Sequence, residues 1–319
     1  MADIIDMHHH ILPPVFLKAL GDRIGRQTLK GPPPEWSPQI SLDLMDRNGI
    51  ATAVTSFGPP GFWFGNLEET KKICRDCNDY SASLRSDHPK RFGMFAVLPF
   101  PDVDASLREI EYAFDVLGAD GIELMTNCAN EYPGDPKFAP VFDELNRRNA
   151  AVYFHPIPAN YGKPILDNFP PATLEFPFDT TRAVMSLLFG GTLARCQNVK
   201  FIFSHAGGTV PFLAPRLARL THREDLKKAV PNGVIPELSR LYYDTALSTN
   251  KFSFSCLQLL VKPDHILFGS DFPQAPESTT VSSIKELNEL GLEPSVLRGI
   301  LRDHSAKLFP KLGQTAHAA

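Results

Sequence analysis

Eight short runs rich in β-branched and aromatic residues alternate along this chain with longer stretches of helical periodicity. The strand-like runs are "DIIDMHHH" (3–10), "ATAVTSF" (51–57), "FGMFAVLPF" (92–100) and "GIELMT" (121–126), then "AVYFHP" (151–156), "VKFIFSHA" (199–206), "LYYDTAL" (241–247) and "HILFGSD" (265–271). Helical patterns cover 67–87, 104–117, 138–148, 178–195, 210–222, 252–261, 279–290 and about 294–308. Eight β-then-α units are the arithmetic of an α/β fold closed into a (β/α)8 TIM barrel. A doubly wound sheet competes, but no glycine-rich fingerprint follows the first strand. The Pro-rich stretches 30–38 and 57–65, and the segment 157–177, read as long loops, and "GQTAHAA" (313–319) as a frayed tail. With no repeat and no linker, residues 1–319 are expected to form one barrel domain.

Composition narrows the partners. At 319 residues, 43% hydrophobic and net charge −4, the chain has no basic excess to attract nucleic acid or an anionic membrane surface. No apolar run nears the ~20 residues of a membrane helix, and no secretory signal pattern opens the sequence. A cytoplasmic protein is expected. Five cysteines are too few for a disulfide framework. Cys74 and Cys77 form a C-x-x-C without a second pair, so they read as buried thiols rather than zinc ligands.

A barrel carries its chemistry at the C-terminal ends of its strands. Strand one ends in His8, His9 and His10, strand five in His155, strand six in His205 and strand eight in Asp271. Alternation along a strand sends His8 and His10 to one side and His9 to the helix layer. Each histidine alone reads as a structural group. Gathered at matching strand ends, His8, His10, His155 and Asp271 read as ligands of one divalent metal ion. A nitrogen-rich set with one carboxylate suits zinc and also accepts manganese or iron. His205 is a fifth ligand or, preferably, an unligated acid or base. Tyr242, Tyr243 and Asp244 on strand seven are candidates for supporting hydrogen bonds only, and His88, His222, His265, His304 and His317 for none of the chemistry.

"DMHHH", "FHP", "SHAGG" and "GSDFP" resemble the motif series of the amidohydrolase superfamily. More narrowly, they resemble the branch of aminocarboxymuconate-semialdehyde decarboxylase and the hydroxybenzoate decarboxylases. "SHAGGTVPFLAPR" (204–216) and "HILFGSDFPQAP" (265–276) are most similar to the 6-methylsalicylate decarboxylases of that branch. The likeness covers nearly the whole chain. Binuclear hydrolases of the superfamily bridge two metals with a carboxylated lysine on strand four. "GIELMTN" has none, which implies a mononuclear site. Where the muconate decarboxylase carries arginines for a second carboxylate, "ISLDLMDRNG" (40–49) has Ser41 and Asp43, which disfavours a dicarboxylate. Arg216 matches an arginine that reaches a neighbouring subunit's site there, so the resemblance implies a homodimer; a plain surface arginine is the alternative.

Phe62, Trp63 and Phe64 in "GPPGFWFGN" either plug the barrel top or wall a flat aromatic substrate. The resulting expectation is a metal-dependent, non-oxidative decarboxylase of a 2-hydroxybenzoate-type acid, 6-methylsalicylate or a close analogue. Asp271 is expected to donate the proton, with His205 setting its protonation. Hydrolysis of a lactone, ester or amide by the same site is the rival expectation.

Overall fold

A computed structural model describes residues 3–21, 32–159 and 169–313. Eight parallel strands stand in sequence order: β1 (Ile4–His10), β2 (Ile50–Ser56), β3 (Phe92–Val97), β4 (Gly121–Met125), β5 (Ala151–His155), β6 (Lys200–Phe203), β7 (Tyr242–Asp244) and β8 (Ile266–Leu267). The circle closes where β1 meets the backbone after β8: Met7 N donates to Phe268 O at 2.9 Å and His10 N to Phe272 O at 2.7 Å. This is the expected TIM barrel. Its last strands are shorter than their apolar runs, because at the mouth the chain leaves the ladder to form the turns that carry the site.

One apolar residue or more from most strands fills the barrel: Ile5, Met7, Val54, Phe95, Tyr153, Ile202 and Leu267. Phe309 and Leu312 join this cluster from the C-terminal segment. Outward-facing residues such as Met94, Ile122 and Phe154 pack instead against the helices, as a sheet buried on both faces requires.

The helices that bear on the site are α1 (Pro14–Leu20), α2 (Pro38–Arg47), α3 (Leu67–Asp87), α4 (Val103–Glu111), α5 (Ala139–Arg147), α6 (Pro171–Phe189) and α7 (Val210–Ala218). Local signals explain their starts. Asn66 caps α3 by accepting from Glu69 N at 3.0 Å, and Glu68 and Glu69 complement its positive end. α6 corrects the loop reading of 157–177: it begins seven residues before 178, with proline at its first position. Pro177 lies inside that helix, and a breaker at that point masks the periodicity. The expected frayed tail lies outside the described residues from 314 onward.

Candidate active site

The first strand aims its histidines through a bulge. Asp6 pairs with Ala53 but His9 with Thr55, so three steps on β1 match two on β2. Met7 and His8 consequently both turn inward, which strict alternation does not allow. His9 keeps the expected outward side, where Nδ1 meets Asp6 Oδ2 at 3.1 Å and Nε2 meets Ser41 Oγ at 2.8 Å. Ser41 also accepts from Trp36 Nε1 at 2.9 Å, so it belongs to the helix layer and not to a substrate site.

Inward, the rings converge. His8 Nδ1 donates to Asp244 Oδ2 at 2.8 Å, leaving Nε2 for the centre. Nε2 of His8 and Nε2 of His10 stand 3.0 Å apart, and 3.1 and 3.2 Å from Asp271 Oδ1. His10 Nδ1 meets Ser56 Oγ at 3.0 Å. His155 Nδ1 donates to the Pro156 carbonyl at 2.9 Å, and its buried Nε2 has no protein partner. His205 Nε2 lies 3.6 Å from Asp271 Oδ2. One ligand atom each from His8, His155, His205 and Asp271 lies within 4.8 Å of the others. His205 thus belongs to this group alongside His155, while His10 meets it through His8 and Asp271.

This geometry fits a divalent ion. Lone pairs on buried ring nitrogens that face one another repel unless a cation stands between them, and nitrogen plus carboxylate is an ordinary transition-metal donor set. The rings and carboxylates also act on one another. Burial disfavours charge on His8, but Asp244 and Asp271 outweigh it and push the ring up to about 10. Burial and the charge on His8 drive His10 down to about 4, although Asp271 opposes the shift. Burial pushes the Asp271 carboxyl up, yet His8, His10 and His205 together hold it well below the usual carboxylate range. Asp271 is thus a carboxylate at neutral pH. As a proton donor it depends on a neighbour to protonate it, the part expected of His205, whose Nε2 is 3.6 Å away.

Strain marks the same residues. His205, Ala206 and Asp271 have φ of 53°, 55° and 61°, a left-handed conformation that costs non-glycine residues of order 1–3 kcal/mol and clusters at functional sites. The glycines beside them answer to close packing. A Cβ on Gly208 would stand 2.1 Å from Pro177 O on α6, and one on Gly269 would stand 2.7 Å from His8 Cβ. The backbone after β8 is sewn to β1 by Asp6, which accepts from Ser270 N at 3.0 Å and Ser270 Oγ at 2.6 Å.

A cleft of about 450 Å³ opens on His155, His205 and Asp271, between Pro59, the first turns of α6 and the turn after β8. Phe62 and Trp63 do not line it. They border a separate cavity of about 60 Å³ with Glu123, while Phe62 packs on Phe16 and Phe57 at ring distances of 5.2 and 5.4 Å. Phe64 packs against the core from the same loop. That places Phe62 nearer the plug reading than the wall reading. Glu123 on β4 accepts from Phe57 N at 2.7 Å, and burial pushes its carboxyl well up. Arg216 is exposed on α7 and outside the cleft of its own chain.

Of the strand-seven trio, Asp244 alone reaches the centre. Besides His8 it accepts from His205 N at 2.9 Å and Tyr153 Oη at 3.0 Å. Tyr243 donates away, to Leu238 O at 2.9 Å, and Tyr242 stacks on His265. His88, His222, His265 and His304 stay out of the cluster, and His317 lies outside the described residues. Cys74 and Cys77 are buried free thiols on α3, pushed up by burial. Among the described residues no helix is long and apolar enough to cross a membrane.

A barrel whose mouth gathers histidines from strands one, five and six with an aspartate after strand eight defines a class of metal-assisted (β/α)8 enzymes. Residues 5–311 match the amidohydrolase family, and the chain belongs to it, in its decarboxylase branch. It is 36% identical to decarboxylase yanB of Aspergillus niger, across 98% of this chain and 89% of that protein. It is 33% identical to the 6-methylsalicylic acid decarboxylase of Penicillium expansum, across 97% and 96%. A crystal structure described as an amidohydrolase II superposes with a TM-score of 0.90 at 28% identity, covering 96% of this chain and 99% of that one. The chain is an enzyme of the carboxy-lyase class.

Proposed function

We propose that the protein is a metal-dependent, non-oxidative decarboxylase of an ortho-hydroxybenzoic acid, with 6-methylsalicylate or a close analogue as substrate. The observation that carries this reading is the convergence of His8, His10, His155 and Asp271, the last two of which face a largely apolar cleft. Those residues would hold the ion, zinc by the nitrogen-rich donor set, with manganese as the alternative. Bound there, the ion would act as a Lewis acid toward a carboxylate and its neighbouring phenolic oxygen.

The chain's own groups handle the proton. His205 passes it to Asp271, and Asp271 delivers it to the ring carbon that bears the carboxylate. That C–H bond forms at the expense of ring aromaticity, with the ortho oxygen feeding electrons into the cationic ring. Cleavage of the carbon–carbon bond returns its electron pair to the ring and releases carbon dioxide. Asp271 is left a carboxylate and regains its proton through His205. Apolar walls such as Phe176 and Leu247 keep the ring out of water.

Carbon dioxide release from 6-methylsalicylate, salicylate and 2-methylbenzoate tests the reading. The first should react and the second more slowly, since a missing methyl costs only ~1–3 kcal/mol, while the acid without the hydroxyl should be inert. Equal rates with 2-methylbenzoate would overturn the ortho-hydroxy substrate class, and acid release from esters or amides instead of carbon dioxide would transfer the assignment to hydrolysis. A homodimer in which the exposed Arg216 reaches the neighbouring subunit is part of the same proposal.

A further inference from the structure

The wall of the cleft is nearly free of charge. Apart from His155, His205 and Asp271, its polar side chains are Thr173, Ser248, Gln274 and Thr279, with no lysine, arginine or second carboxylate among the described residues. Gln274 differs from the rest in reach and in having an amide. Among the described residues that amide has no hydrogen-bond partner.

Its position is nevertheless fixed by backbone. The turn after β8 is closed by Ala275 N donating to Asp271 O at 2.7 Å, and tied to β1 by Asp271 N donating to His8 O at 2.9 Å. This closure keeps residues 271 and 274 on one short turn, and both line the cleft. Across the turn, residue 58 is glycine, and a Cβ there would stand 3.2 Å from Gln274 Nε2. Glycine leaves the amide its room.

We infer that Gln274 is a specificity-determining residue, hydrogen-bonding a neutral hydroxyl on the ring other than the one beside the carboxylate. The inference rests on the decarboxylase reading and narrows its substrate class. An amide donates through its NH2 and accepts through its oxygen, so it matches a hydroxyl in either role. Being neutral, it does not select a second carboxylate. The acid that completes the cleft is an ortho-hydroxybenzoate carrying one further hydroxyl; 6-methylsalicylate turns over without this contact.

The test compares salicylate with 2,3-, 2,4-, 2,5- and 2,6-dihydroxybenzoate on the metal-loaded enzyme. One isomer should exceed salicylate in kcat/KM. Gln274→Leu should lower that isomer-to-salicylate ratio roughly three- to tenfold, the worth of one neutral hydrogen bond. Gln274→Met, close in length, should do the same and guards against a packing artefact in the leucine variant. Calorimetric binding of the same acids gives a second readout. If no acid loses carbon dioxide but the wild type binds one isomer preferentially and Gln274→Leu does not, the reaction is misassigned and the hydroxyl contact stands. A wild type that does not discriminate, or variants that shift all five acids alike, overturn the inference.

Discussion

Nδ1 of His8 lies 2.8 Å from Oδ2 of Asp244, across 236 positions of sequence. The bond holds the ring with Nε2 toward the centre. Carboxylate partners of metal-binding histidines are worth about 10–100-fold in metal affinity. Asp244→Asn should therefore weaken the ion by that factor in a chelator competition, with the fold retained by circular dichroism. Unchanged affinity would remove Asp244 from the metal centre's support.

Within the centre, His8→Ala, His10→Ala or His155→Ala should each lose bound metal and turnover together, because a site of few donors does not survive the loss of one. Elemental analysis of purified protein should find about one ion per wild-type chain. Two catalytic ions, or full activity without metal, would contradict the site.

His9 faces the other way, so His9→Ala should keep the metal. It leaves Asp6 and Ser41 short of a buried partner, which costs about 1–3 kcal/mol. Denaturant unfolding should register that loss while metal content stays near wild type.

For the proton relay, His205→Ala and Asp271→Asn should each slow turnover by roughly 10²–10⁴-fold. Metal content separates the two roles of His205. Retained metal in His205→Ala marks it as an acid–base group, and lost metal marks it as a ligand. Near-normal turnover would exclude it from the reaction.

Gly208 offers a test of the frame around His205. Gly208→Ala places a methyl against Pro177 O at a positive φ of 64°, and overpacking of that kind costs ~1–3 kcal/mol. The thermal midpoint should fall, and turnover with it, because α6 walls the cleft. In light scattering, the unaltered protein should have the mass of two chains; a monomer would end the reading of Arg216 as a residue shared between subunits.

Much of this was legible in residue order, because strand and helix periodicities are local properties of the chain. Eight β-then-α units determined the barrel, and the ends of strands one, five, six and eight already named every inward ring and the aspartate. His9 was separable from His8 and His10 by the spacing alone. What needed tertiary structure was whatever depends on a distant partner. The bulge that turns Met7 and His8 to the same side arises from pairing with β2, which the sequence of β1 does not reveal. Asp244 became the holder of His8, and Asp6 the tie to Ser270, only when the barrel closed. In sequence Phe62 and Trp63 read equally as a plug or a substrate wall, because hydrophobic attraction has no direction; the packed loop set Phe62 against Phe16 and Phe57 and gave both a cavity apart from the cleft. The lowered titration of Asp271 was decided in the same way, by His8 and His10 of β1 and His205 after β6 meeting its two oxygens.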